Sequence, residues 1–301
     1  MALKLSNTNK FKSSAFWAGI CLVVSFFASG CSMRRLALDN HEFLAGRLAV
    51  RFLDLDGDQK KLFQKQLSEW SSRVSMVQVD SIADKIEELG KTSDPETVAW
   101  RVQVFVREMM VDACRDFSPV LASLSNEQID HLRAKIAERN EKHDPDANGG
   151  LDRYRKTKRE EQIQNTELWL GSISDAQKME LASLDQLKDP EGKWEAGYLE
   201  YSREAQGAFL AMLLRFRGDI EGMGKSCAGY ARDPDAVLSE ASRKSKSAVT
   251  DFRRRSIAMI FASIDTDQRK HLERETAKLA ADLRAWAKRV RDEALAFRPA
   301  R

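Results

Sequence analysis

Four times this chain writes the same short string: Leu55-Asp56-x-x-Gln59, Leu124-Ser125-x-x-Gln128, Ile173-Ser174-x-x-Gln177 and Ile264-Asp265-x-x-Gln268. Four residues past each glutamine comes a large apolar residue: Phe63, Leu132, Leu181 and Leu272. A Ser or Asp at a helix N-cap accepts from the amide three residues on, while a Gln at that third position reaches back to the cap's own amide. The string therefore predicts four helix starts, each closed by a reciprocal box: Asp56 with Gln59, Ser125 with Gln128, Ser174 with Gln177, Asp265 with Gln268. The Leu or Ile before each cap tucks under the first turn, and the later apolar residue faces a core. Unequal spacing between the strings excludes a fixed-period solenoid. Read from the residues alone, they are four well-capped helices and nothing more.

The rest of the chain agrees with helix. Only 6 prolines and 15 glycines punctuate 301 residues, so the elements are expected to be long. Apolar residues recur at spacings of three and four: Phe43, Leu44, Leu48 and Phe52 within a helix over 34–53, then Leu62, Phe63, Leu67 and Trp70 in a second that runs to Leu89, with Gly90 as its stop. Ser93-Asp94-Pro95-Glu96 reads as a capping serine, an early proline and a glutamate three residues on, and Val98, Val102, Phe105 and Met109 form the buried stripe behind it. Leu151 to Leu170 carries mixed charges, the mark of a solvated helix face. Trp194 to Met223 is expected as one long helix and Gly224 to Asp233 as a loop. Asp233-Pro234 is read as the cap of the next helix, to Ala262, and Leu272, Leu279, Leu283, Trp286 and Val290 line the last. No segment sustains the period-2 alternation of a strand. The expected fold is all-α, an elongated bundle of long antiparallel helices and helical hairpins.

The first thirty residues read differently. Lys4, Lys10 and Lys12 precede an apolar run from Ala15 to Phe27, which closes on Ala28-Ser29-Gly30-Cys31. A basic start, a short apolar run and small residues at its end mark a secretory signal, and a run of about 13 residues falls short of the roughly 17–25 a spanning helix needs. A cysteine directly after Ala-Ser-Gly resembles the bacterial lipobox, although Ala28 stands where leucine is usual. That resemblance implies a signal peptide over 1–30 and a helical domain over 31–301. Cys31 would then be acylated, palmitate included, and become the mature N-terminus. Ser32, rather than aspartate, follows it and by the same resemblance implies sorting to the outer membrane, with the domain on the periplasmic face. Acyl chains contribute about 0.8 kcal/mol per buried methylene, so several together hold durably. The whole chain carries 49 basic and 46 acidic residues, and the three excess lysines all lie in the signal. A balanced body has no basic footprint for nucleic acid.

The Leu-Ser/Thr-x-x-Gln string resembles that of the Spy and CpxP group of periplasmic helical proteins, which are chaperone and stress-sensor modules. A fuller likeness lies in the order of landmarks: Cys31, Leu53-Asp54-Leu55-Asp56-x-x-Gln59, Trp70, Leu121-Ala122-Ser123-Leu124-Ser125-x-x-Gln128, Glu138-Arg139-Asn140, Trp169-Leu170-Gly171-x-Ile173-Ser174-x-x-Gln177 and the Gln268 string. From Cys31 to about Ala287 this order is similar to a proteobacterial family of helical lipoproteins known only as a domain of unknown function. It implies fold and location and carries no assigned activity.

Motifs for chemistry are scarce. The histidines are His41, His131, His143 and His271; there is no HExxH, CxxC, phosphate loop or GxSxG. His131 and His271 occupy the same slot three residues past a motif glutamine, read as an exposed helix position. The five tryptophans after Trp17 read as core or hairpin anchors. No catalytic residue, metal or cofactor is assigned. One loop follows the calcium-loop order, with Asp144, Asp146, Asn148 and Asp152 as oxygen donors and Gly149 at the turn, but Arg155 stands where the bidentate glutamate belongs. It is a candidate for weak calcium binding beside the reading of an ordinary polar turn. Cys114 and Cys227 are the two cysteines left after processing. An oxidising compartment favours a bridge; the alternative is that Cys114 is a small, partly buried hydrophobe and Cys227 a solvated thiol, and the sequence leans to the alternative.

Three functional readings follow. The first is a non-enzymatic binding or chaperone-like module held to the membrane by its N-terminal lipid and serving envelope clients. The second is a structural or assembly accessory of the outer membrane with one fixed protein partner. An enzyme is the third, and no constellation supports it. Exposure of Met109, Met110, Met212, Met223 and Met259 would favour the client binder, and burial the fixed-partner scaffold.

Overall fold

A computed structural model describes residues 31–92, 94–184 and 191–296 of the chain; residues 1–30, where the signal peptide is read, lie outside these. Among the described residues are thirteen α-helices, two short 3₁₀ turns and no strand. In chain order the helices are α1 (Cys31–Asp39), α2 (His41–Leu53), α3 (Gly57–Val77), α4 (Val79–Lys91), α5 (Pro95–Asp116), α6 (Ser118–Ala122) and α7 (Asn126–Glu141). After these come α8 (Leu151–Leu170), α9 (Asp175–Ser183), α10 (Lys193–Arg215), α11 (Ile220–Arg232), α12 (Glu240–Ala262) and α13 (Thr266–Ala296).

The bundle has three apolar centres, and the repeated strings sit on two of them. Leu55, Leu124, Ile129, Leu132, Leu213, Met223 and Cys227 belong to one, with Phe63 packed against it. Ile173, Leu181, Ile260 and Leu272 belong to another, with Ile264 against it. In the third, α13 buries Trp286 and Ala287 against Val74, Val79 and Met109, with Leu38 of α1 alongside. The imidazole of His41 meets the Trp286 ring edge-on at 5.2 Å and lies 3.2 Å from the Ser71 hydroxyl; burial pushes its pKa down, favouring the neutral ring.

Several boundaries differ from the sequence reading, and each has a local cause. The stretch 34–53 forms two helices meeting at Asn40, and the helix expected to reach Leu89 is divided at Gln78 into α3 and α4. Gly90 does not stop a helix. It is buried inside α4, where a Cβ would lie 2.2 Å from Thr276 Oγ1 and 3.0 Å from Glu273 Cα, so its missing side chain lets α13 pack against α4. Asp94, not serine, caps α5 by accepting from the Thr97 amide; Ser93 lies outside the described residues. Asp233-Pro234 opens a 3₁₀ turn, and Ser239 caps α12.

The largest difference concerns the expected helix from Trp194 to Met223 and the loop after it. Helix α10 stops at Arg215, and Gly218 takes φ +79°, a left-handed conformation that suits glycine. Its amide donates to the Ala122 carbonyl at 2.8 Å, and Asp219 caps α11 through the Gly222 amide at 2.9 Å. The glycine-rich segment beyond is thus a helix. Gly224 faces α6 so closely that a Cβ would sit 3.2 Å from Ser118 Oγ. Cys227, expected in a loop, is on α11 and 1% exposed, while Cys114 on α5 is 3% exposed. The two form a disulfide with their Cα atoms 5.4 Å apart, inside the roughly 4.4–6.8 Å a bridge requires. The leaning against this bond is corrected: it came from placing Cys227 in a solvated loop, whereas the small residues of α11 bring it against α5.

Candidate functional site

The most ordered polar constellation is built from the four strings themselves. In each, the cap side chain accepts from the glutamine's backbone amide: Asp56 at 2.8 Å, Ser125 at 3.2 Å, Ser174 at 3.2 Å and Asp265 at 2.8 Å. Each glutamine Oε1 in turn accepts from its cap's amide, at 3.0, 2.9, 3.0 and 3.1 Å in the same order. These bonds fix the orientation of every amide group, since Oε1 faces the cap and Nε2 must face away.

Facing away, each Nε2 meets another string. Gln59 Nε2 donates to Gln128 Oε1 at 3.1 Å, and Gln128 Nε2 donates back to Gln59 Oε1 at 2.6 Å. Gln177 and Gln268 do the same at 3.0 and 2.9 Å. The second hydrogen of each amide goes to a backbone carbonyl two residues before the partner's cap. Gln59 donates to Ser123 O at 2.9 Å and Gln128 to Asp54 O at 2.8 Å. Gln177 donates to Ser263 O at 3.0 Å and Gln268 to Ser172 O at 2.8 Å. An amide side chain has two donors and a two-lone-pair acceptor; here all are used. Two corners of the chain are thereby clasped to each other, twice, by neutral groups.

The two clasps repeat each other bond for bond. In each, one corner is turned by a left-handed residue, Asp54 at φ +49° or Gly171 at φ +80°. The opposite corner is turned by a serine, Ser123 or Ser263, whose hydroxyl bonds the carbonyl three residues back at 2.8 or 3.1 Å. The equivalent histidines pack on the partner corner and are half-buried, not on an exposed face as expected. His131 Nε2 lies 3.1 Å from Arg51 O. The His271 ring covers Gly171, where a Cβ would come within 2.8 Å of Nδ1. Capping was legible from the sequence, but the crossing was missed. A signal for it does exist: a Ser or Asp stands two residues before every cap, at Asp54, Ser123, Ser172 and Ser263.

The cross-links of the clasps are made by neutral amide groups and backbone carbonyls. They hold four helix starts in fixed relation. Gln177 and Gln268 are 3% and 4% exposed and Gln59 is 8% exposed, whereas Gln128 is half-buried, so the second clasp is the drier of the two.

Of the calcium-loop residues, Asp144 is engaged by a group outside the loop. Asp144 accepts from the Asp146 amide at 3.1 Å and pairs with Arg203 at 3.2 Å. The side-chain nitrogen of Asn148 donates to Asp144 O at 2.7 Å, and Asp152 is exposed. Among the described residues no group of three or more His, Cys, Asp or Glu side chains is placed to hold a metal. Arg155 belongs to another structure entirely, a bidentate pair in which Nε and Nη2 each donate to Glu195 at 2.8 Å. Glu195 is 2% exposed and Arg155 12%. Replacing Arg155 by alanine strips the buried carboxylate of both bonds. The expected loss is about 2–3 kcal/mol in urea unfolding, on the low side for a buried pair because the Arg155 side chain is partly exposed. A loss under about 0.5 kcal/mol would mean the pair is no stronger than a surface one.

The tryptophans divide as well. Trp286 is buried, but Trp100 is 62% exposed; it lies two residues past the buried Val98, which on a helix turns it to the opposite face.

Comparison with curated proteins and with solved structures found no match for this chain. A family model described as "Family of unknown function (DUF6279)" matches residues 51–243. The matched segment holds the whole of the first clasp, the Gln177 corner of the second, the disulfide and the Arg155–Glu195 pair, and covers more than half of the chain. The chain belongs to this family of unknown function.

Proposed function

We propose that this protein is a non-enzymatic, lipid-tethered helical module of the bacterial outer membrane that holds one fixed protein partner on the periplasmic side. The observation that carries the choice of partner mode is methionine burial. Met109, Met212 and Met223 are buried and Met110 and Met259 half-buried, while the exposed Met76 and Met179 stand on separate helices, α3 and α9; this favours a fixed-partner scaffold over the soft Met-rich surface of a promiscuous client binder. Clasped corners and a buried cross-link support a rigid body presenting one surface. The tether rests on the signal-like residues 1–30 and on Cys31; the Cys114–Cys227 bridge supports an oxidising compartment.

Crosslinking the full chain in its native membrane, followed by capture, tests the proposal. One stoichiometric partner is the expected result, and a broad set of unfolded clients would return the chaperone-like reading in its place. Mass spectrometry of the mature chain checks the tether separately: an acylated Cys31 at the N-terminus is expected, and an unmodified Cys31 within a longer chain overturns it.

A further inference from the structure

Among the exposed apolar side chains, Leu36, Phe43 and Leu295 belong to the helices α1, α2 and α13 beside the chain's Cys31 end. Leu36 and Phe43 are 62% and 61% exposed and lie seven residues apart, about two turns of helix, so they share a face. Two backbone bonds span the junction of α1 and α2, Asn40 N to Leu36 O at 3.1 Å and Leu44 N to Asn40 O at 2.9 Å, while Asn40 itself departs from helical geometry. Asn40, Arg47 and Arg51 fall on the same stripe and are exposed, and the Arg47 guanidinium lies 5.6 Å over the Phe43 ring. Asp39, an acid bordering the stripe, is engaged by Arg289. Helix α13 runs antiparallel beside α1, with His41 against Trp286 and Asp39 against Arg289. Its exposed Leu295 therefore emerges at the end where α1 begins.

We infer that this face of α1–α2, with Leu36, Phe43, Arg47 and Arg51, seats the folded body directly on an anionic lipid bilayer. The inference rests on the tether reading and deepens it. Cys31 is already part of α1, and eight residues later Asp39 is tied to α13, a helical rise of about 12 Å. A chain acylated at Cys31 has no linker with which to stand off, so the side chains next to the anchor meet the lipid surface. Their chemistry suits it: Leu and Phe enter the boundary between headgroups and acyl chains, and the two arginines pair with lipid phosphates.

The test uses the full chain, processed and reconstituted in vesicles of phosphatidylcholine and phosphatidylglycerol. A fluorophore on Asn40→Cys reports the proposed face and one on Lys244→Cys reports α12; the native pair is protected in its disulfide. Headgroup-level spin-labelled lipid is expected to quench the label at 40 several-fold more than that at 244. Leu36→Asp with Phe43→Asp should abolish the difference while the protein still floats with the vesicles. Both residues are exposed, so an unchanged thermal unfolding curve verifies the fold. Flotation with an unquenched label at 40 overturns the seat and leaves the tether standing. A chain that neither floats nor carries lipid overturns the tether, and the seat with it.

Discussion

Replacing Gln177 by glutamate is expected to cost about 3–5 kcal/mol of stability at neutral pH. The two side chains are nearly the same shape, so packing is preserved and only the hydrogens are lost. In the native protein Nε2 donates to Ser263 O and to Gln268 Oε1, each at 3.0 Å. A carboxylate would set a negative oxygen against two acceptors at a site 3% exposed. Burial and the facing oxygens raise its folded pKa, so the folded state holds a proton that the unfolded state has released. Stability of the variant therefore falls as pH rises through the region between the two pKa values and recovers on acidification. Urea midpoints at pH 7 and pH 5 check this, with the deficit against native protein shrinking at the lower pH. A pH-independent loss below about 1 kcal/mol would mean that the glutamine only caps its helix. The same change at Gln128, which is half-buried, should cost less, because water can reach the new charge. A cycle of Gln177→Ala and Gln268→Ala should show a coupling of roughly 1–2 kcal/mol, since each amide loses its partner only once.

That experiment separates what the chain spells locally from what appears only on folding. The capping boxes were readable because cap and glutamine are three residues apart and the geometry is intrinsic to a helix N-terminus. The crossing of Gln59 with Gln128, and of Gln177 with Gln268, joins residues 69 and 91 positions apart, and no local rule pairs them. The polar residue before each Leu or Ile was the one clue, legible once the carbonyls at those positions are seen to accept. Apolar spacing fixed the existence of the long helices but misjudged their ends where glycine was taken as punctuation. Gly90 and Gly224 are helical because α13 and α6 pass too close for a side chain, a tertiary demand that overrides helix propensity. The tryptophans after Trp17 read as core or hairpin anchors, and the phase of α5 sends Trp100 outward.

Removing the Cys114–Cys227 bridge is the second change expected to act strongly, for a different reason: it acts on the unfolded chain. The bond closes a loop with a separation of 113 residues, and chain entropy for about 100 residues gives up to ~4.7 kcal/mol at 25 °C, with about 2–4 typical in practice. Cys114→Ala with Cys227→Ala keeps both sites small and apolar, so the folded packing of α11 on α5 is disturbed little. The expected outcome is a fall of about 3–4 kcal/mol in unfolding free energy with the helical spectrum retained. Serine at Cys227 should be worse than alanine, because that position is 1% exposed and lies among Met223, Ala228 and Ala231 in the apolar centre; its hydroxyl would lack the water it has when unfolded. Burial also predicts a kinetic signature. Dithiothreitol should leave the native protein oxidised for as long as it stays folded and reduce it promptly in urea, with the rate following the population of unfolded chain. Two titratable thiols in the oxidised, unfolded protein would show the bond absent; prompt reduction without denaturant would show that α11 separates from α5 far more readily than their packing implies.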